Sequence, residues 1–149
     1  MQLTRYSDYA LRVLMYLALN GHRRSTTREI ADAYGVSESH LMKVIFHLGR
    51  SGFITTIRGE GGGLELARPA SGINLGAVYR EFEPNFELAE CFAGKERCAC
   101  PIAGFCEITR VLESALQAFF EVLDRHTLED LLTSAPALKH ILLSGEEDR

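Results

Sequence analysis

The sequence predicts a mainly α protein with a small β-hairpin wing: a winged helix-turn-helix head followed by a long dimerisation helix. Three observations carry that expectation. Before residue 52, three stretches with helical apolar spacing are punctuated by Gly21, Gly35 and Gly52. A glycine-rich turn, Arg58 to Gly63, then separates two short strand-like runs. From Ile108 an apolar stripe continues for about four helical turns. These divide the chain into a head at residues 1–68, a connector with a cysteine loop at 69–107, and a dimerisation helix with a last short helix at 108–149.

The first helix is expected from Thr4 to Leu19, with Leu11, Leu14, Met15 and Ala18 on its inner face. Thr4 or Ser7 caps it, Gly21 stops it, and Asp8 suits the positive end of its dipole. Thr26-Thr27-Arg28-Glu29 reads as a capping box, opening a helix that runs to Tyr34 and ends at Gly35. Ser37 caps a third helix, Glu38 to about Arg50, with Leu41, Val44, Ile45 and Leu48 inward. Its outward face carries Ser39, His40, Lys43 and His47. Two helices joined by a short glycine turn form a helix-turn-helix, whose second helix enters the major groove. Phe53 to Ile57 and Leu64 to Leu66 form the hairpin, and a hairpin in that place is a wing. The DNA-facing candidates are Thr27, Arg28, Ser37, Ser39, His40 and Lys43 of the helix-turn-helix, with Arg58 and Gly59 of the wing.

A connector helix is expected from Leu75 to Phe82, anchored by Val78 and Phe82 and stopped at Glu83-Pro84. The stripe from Ile108 includes Val111, Leu112, Ala115, Leu116, Phe119, Val122 and Leu123, widened by Ala118 and Phe120. A stripe that wide packs on a second surface, either a partner subunit or elements of its own chain. Thr127 caps a short helix from Leu128 to Leu132, Pro136 separates it from a final apolar turn, and the tail from Gly145 is expected to be disordered.

The chain of 149 residues suits one domain with an extension and can bury a core without disulfides. Its net charge is −4, but residues 1–68 hold a net +3 and the remainder a net −7. That asymmetry fits a basic head meeting phosphates. No apolar run approaches the ~20 residues of a membrane span, and nothing resembles a leader with its cleavage site, so a cytoplasmic location is expected. His22, His40, His47, His126 and His140 are scattered, and no catalytic set of nucleophile and base is present. The chain does not read as an enzyme.

All four cysteines lie in one stretch: Cys91, Cys98, Cys100 and Cys106. Thiolates are soft ligands for iron–sulfur clusters, zinc or copper(I), and a short loop brings them together at little entropic cost. Disulfides are disfavoured in a reducing compartment. Structural zinc prefers pairs two to four residues apart, whereas one residue separates Cys98 from Cys100. Buried inert thiols need no clustering. An iron–sulfur site with three or four cysteine ligands is the favoured reading.

Leu3-Thr4-Arg5-Tyr6-Ser7-Asp8-Tyr9-Ala10-Leu11-Arg12 resembles the opening of the Rrf-two (BadM-type) family of winged-helix repressors. Tyr34-Gly35-Val36-Ser37, His40-Leu41-Met42-Lys43-Val44 and Arg58-Gly59-Glu60-Gly61-Gly62-Gly63-Leu64 resemble it too, as do Arg80-Glu81-Phe82-Glu83-Pro84 and Phe119-Phe120. Within the family, the likeness is to the nitric-oxide-sensing repressors. The resemblance implies a homodimer that binds a palindromic double-stranded operator and holds an iron–sulfur cluster, [4Fe–4S] rather than [2Fe–2S]. It implies Cys91, Cys100 and Cys106 as ligands, with Cys98 surplus or an alternative. Asp8 from the partner subunit is the implied fourth ligand, and nitric oxide attack on the iron is implied to release DNA. Glu60 in the wing departs from the family pattern. So does Thr109, where regulators of iron–sulfur supply carry a ligating histidine. A sensor of iron or cluster supply, and a zinc or metal-free thiol switch, are the alternatives.

Overall fold

The computed structural model describes residues 2–21, 23–94, 98–102 and 104–143; the tail from Gly145 falls outside them. Helix α1, Arg5–Asn20, is the centre of the head. Thr4 is its cap, accepting from the Ser7 N–H, and Gly21 ends it with φ 69°. Its buried apolar residues are Ala10, Val13, Leu14, Tyr16, Leu17 and Leu19, while Leu11, Met15 and Ala18 are half-buried. The expected inner face was therefore too narrow. α1 is packed from several sides, by α3 (Glu38–Arg50), the hairpin, α4 (Leu75–Phe82) and α6 (Ala135–Leu143). A helix covered on several sides has no single apolar stripe.

Helix α2, Thr27–Tyr34, opens with the full capping box: Glu29 N–H to Thr26 Oγ1 and Thr26 N–H to the Glu29 carboxylate. Gly35 closes it in the left-handed conformation, which a β-carbon would disfavour. Helix α3 buries Leu41, Val44, Ile45 and Leu48, as its spacing predicts. Ser37 stands at its cap without a side-chain cap bond, because its hydroxyl pairs instead with Ser39 Oγ at 2.8 Å. Strands β1, Ile54–Ile57, and β2, Gly63–Leu66, pair antiparallel with Ile54 opposite Leu66. Ser25 bridges to Leu64 on the other edge of β2. A β-carbon on Gly62 would lie 2.4 Å from the Ile57 carbonyl oxygen, so the wing's turn closes only around glycine.

Helix α5, Glu107–Asp124, docks on α4 and has no buried residue. Its wide stripe divides into two faces. Leu112, Leu116, Phe119, Phe120 and Leu123 are half-buried, and Phe119 meets Tyr79 of α4 with ring centroids 6.3 Å apart. Ile108, Val111, Ala115, Ala118 and Val122 share the other face and are exposed. The joint is fixed by Arg80, which grips Asp124 with two bonds of 2.6 and 2.7 Å and lies 4.1 Å from the Phe120 ring. These bonds hold the Asp124 carboxyl below its usual range. A β-carbon on Gly76 would come 1.9 Å from Asp124 Oδ1, so this approach of the two helices needs glycine. After α5, residues Glu129–Leu132 form a single tight turn and α6 follows. Pro136 lies in the first turn of α6 rather than separating two elements, because proline is tolerated where an N–H has no helical partner.

One buried carboxylate closes the head. Glu83, just past α4, accepts from Thr4 N–H at 2.8 Å, from Thr4 Oγ1 at 3.2 Å and from the Ser7 hydroxyl. Glu83 is 9% exposed and Ser7 0%. This contact ties the start of α1 to the point where the chain leaves for the cysteine loop.

Candidate nucleic-acid interface and cysteine loop

The outer face of α3 exposes Ser39, His40 and Lys43. Beside them a cleft of about 280 Å³ opens between α1 and α3, lined by Arg5, Tyr6, Tyr9, His40, Lys43 and Val44. No carboxylate lines this cleft. Tyr6 braces it by donating to the Lys43 carbonyl at 3.1 Å. Among the described residues, no ion pair engages Arg5, Lys43 or Arg58, whereas Arg12, Arg24 and Arg28 each have an acidic partner. Arg28 pairs with Asp32 at 3.9 Å, Thr27 is half-buried at the start of α2, and Ser37 is exposed. Arg58 and Gly59 are exposed at the wing's tip, beside Glu60. Arg24 steadies the wing by donating to the Gly61 carbonyl at 2.9 Å and pairing with Glu65 at 3.1 Å.

His47 departs from the expected outward face. Its ring lies 4.4 Å from that of Phe82, and its Nε2 is 2.9 Å from Glu81. Glu81 is held below the usual carboxylate range by the Ser51 hydroxyl first and His47 second. Consecutive residues of α4 therefore hold two different helices: Arg80 holds α5 and Glu81 holds α3. The sequence signals for Arg5 and for the α4 contacts were weak, since a first-turn arginine and an i,i+1 pair carry no periodicity.

The cysteine loop leaves α4 and returns at α5. Cys91 lies in the single turn Glu90–Ala93, and Cys106 is the N-cap of α5 without a side-chain cap bond. Cys98 N–H donates to the Gly94 carbonyl at 3.1 Å, and Ala99 N–H to Glu90 Oε1 at 2.8 Å. All four thiols are free and half-buried. Thr109 Oγ1 donates to Cys91 Sγ at 3.4 Å, which sets Cys91 against the turn that Cys106 opens. Among the described residues, no three His, Cys, Asp or Glu side chains converge as a metal-holding group. Asp8 pairs with Arg12 at 3.0 Å.

A helix-turn-helix followed directly by a hairpin wing defines the class: a winged-helix DNA-binding regulator. Residues 3–134 match the Rrf2 family, described as iron-dependent transcriptional regulators. The HTH-type transcriptional regulator NsrR of Geobacillus kaustophilus is similar at 46% identity over 145 residues, covering 95% of this chain and 97% of that protein. NsrR of Bacillus licheniformis is similar at 43% over 143 residues, covering 95% and 99%. The solved structure of T. potens IscR superposes with a TM-score of 0.72 at 26% identity, covering 91% of this chain and 88% of that one. The chain belongs to the Rrf2 family of transcriptional regulators, and it is a regulator rather than an enzyme. Among the described residues, no helix is long and apolar enough to cross a membrane.

Proposed function

We propose that this chain is a homodimeric repressor whose operator binding is governed by an iron–sulfur cluster that reacts with nitric oxide. The observation that carries the proposal is the placement of all four thiols between the DNA-reading head and the long helix. Their donor chemistry fits iron–sulfur ligation. Cys91, Cys100 and Cys106 are the assigned ligands of a [4Fe–4S] cluster, Cys98 is the alternative, and Asp8 of the partner subunit supplies the fourth position. When bound, the cluster supplies iron that nitric oxide can attack. A carboxylate is a hard ligand among soft ones, so Asp8 would hold the most labile corner. A displacement of α5 reaches α3 through the adjacent residues Arg80 and Glu81 of α4. Dimer half-sites lie about one helical turn apart, ~34 Å, so a small rotation of one head spoils simultaneous contact.

The test is an absorption spectrum with iron and sulfide analysis, and operator binding, before and after nitric oxide. The expected result is a coloured protein that loses operator affinity on treatment. A colourless protein without iron that binds DNA equally in both conditions would overturn the proposal in favour of a zinc or metal-free thiol switch.

The DNA surface is assigned to Thr27, Arg28, Ser37, Ser39, His40 and Lys43, with Arg58 and Gly59 in the wing. Arg5 is added as a backbone contact, because its cleft is basic and holds no carboxylate. Phosphate contacts position a protein on the duplex. Arg5→Ala and Arg58→Ala should each lower the salt slope of binding by about one unit, with little change in sequence preference. An unchanged slope removes that residue from the interface.

The partner surface is assigned to the exposed face of α5. Ile108, Val111 and Val122 are 58%, 61% and 54% exposed, an apolar line that no element among the described residues covers. Replacing Val111 and Val122 together by glutamate should yield monomers with weak operator binding. Phe119 is a poorer target, because it also packs on Tyr79 of its own chain. A sedimentation profile still dimeric for the double variant would place the interface elsewhere.

A further inference from the structure

Thr109 occupies the first turn of α5, and its hydroxyl donates to Cys91 Sγ at 3.4 Å. Its backbone N–H donates to the Cys106 carbonyl at 3.2 Å. One residue thus joins the sulfur of the first loop cysteine to the turn opened by the last. Both Thr109 and Cys91 are half-buried, so water competes only partly for this bond. A thiolate is a charged acceptor, and a hydroxyl bound to it makes a stronger bond than one to a neutral thiol.

We propose that Thr109 is a positioning residue for the iron–sulfur site: its hydroxyl holds the Cys91 thiolate over the first turn of α5 and tunes the bound cluster. This rests on the cluster reading above. Groups that bond the outer side of a metal ligand orient it and set its electronics, and removing one typically costs ten- to a hundred-fold in metal affinity. Hydrogen bonds to cluster sulfurs are among the determinants of reduction potential; by drawing electron density from the sulfur they favour the reduced state.

Thr109→Val keeps the size and branching of the side chain and removes the donor. Thr109→Ser keeps the donor and removes the methyl. Wild type and both variants would be reconstituted anaerobically, then compared by iron and sulfide content, reduction potential, and the rate of iron loss to a chelator. The valine protein is expected to have a lower potential and to lose iron about ten-fold faster, with serine restoring both. A valine protein that holds no cluster while the serine protein does supports the same role. Equal potentials and rates in all three proteins would overturn the inference while leaving the cluster reading intact. So would equal damage in both variants, which would assign the effect to side-chain shape rather than to the donor. Wild type lacking iron and sulfide would overturn the cluster reading and this inference together.

Discussion

Cys91→Ala, Cys100→Ala and Cys106→Ala proteins are expected to purify without iron or sulfide and to bind operator weakly, with or without nitric oxide. Cys98→Ala should keep the cluster and the response. The asymmetry follows from the ligand set proposed: loss of any one thiolate leaves the cluster with two corners that cysteine does not hold. Asp8→Ala removes only the hard ligand, so it should retain iron while changing cluster lifetime or the rate with nitric oxide. In the free chain Asp8 pairs with Arg12, an exposed contact of small energetic weight, and can exchange that partner readily. Iron analysis of the five proteins is the measurement. Cluster loss in Cys98→Ala together with retention in Cys100→Ala would reassign the ligand to Cys98.

Glu83→Ala should be among the most destabilising single changes in the head. The carboxylate accepts from the Thr4 amide, the Thr4 hydroxyl and the fully buried Ser7 hydroxyl. Its removal leaves the half-buried Thr4 amide and hydroxyl without that acceptor and the Ser7 hydroxyl with only the Thr4 carbonyl at 3.0 Å, at about 2–4 kcal/mol in total. For a chain of this size that corresponds to a fall in melting temperature of roughly 5–15 °C. Glu83→Gln keeps the shape and one acceptor oxygen, and should lose less than half as much. Thermal unfolding of both variants decides; a Glu83→Ala protein melting within about 2 °C of wild type would deny the contact its structural role.

The helix-turn-helix and wing were legible in the sequence because their signals are local. Thr26 to Glu29 specify a cap within four residues, and Gly35 marks the stop. The alternation Leu41, Val44, Ile45, Leu48 points to one buried face, and that face is buried. Errors arose where tertiary contacts act on residues without periodic signal. His47 lies on the polar side of α3 by spacing, yet Phe82 and Glu81 arrive from α4 and cover it. Pro136 reads as a breaker, but in a first turn it opens α6 instead. The stripe of α5 was visible, while its division between α4 and an open face depends on Gly76 and Asp124, which lie 48 positions apart in the chain. Clustering of the cysteines was legible in full, whereas their ligand roles rest on chemistry that no local pattern encodes.

The place of α1 at the centre of the head bears on the making of the protein. The helix nearest the N-terminus emerges first, but its apolar sides are closed by α3, the hairpin, α4 and finally α6. Its clamp, Glu83, comes 79 positions after Thr4, and α6 ends at Leu143. Such long-range closure slows folding and leaves apolar surface open meanwhile. At synthesis rates of about 5–20 residues per second, α1 waits on the order of ten seconds for its last cover. During that interval the nascent chain is most dependent on chaperones, and a pause in translation before residue 135 would lengthen it.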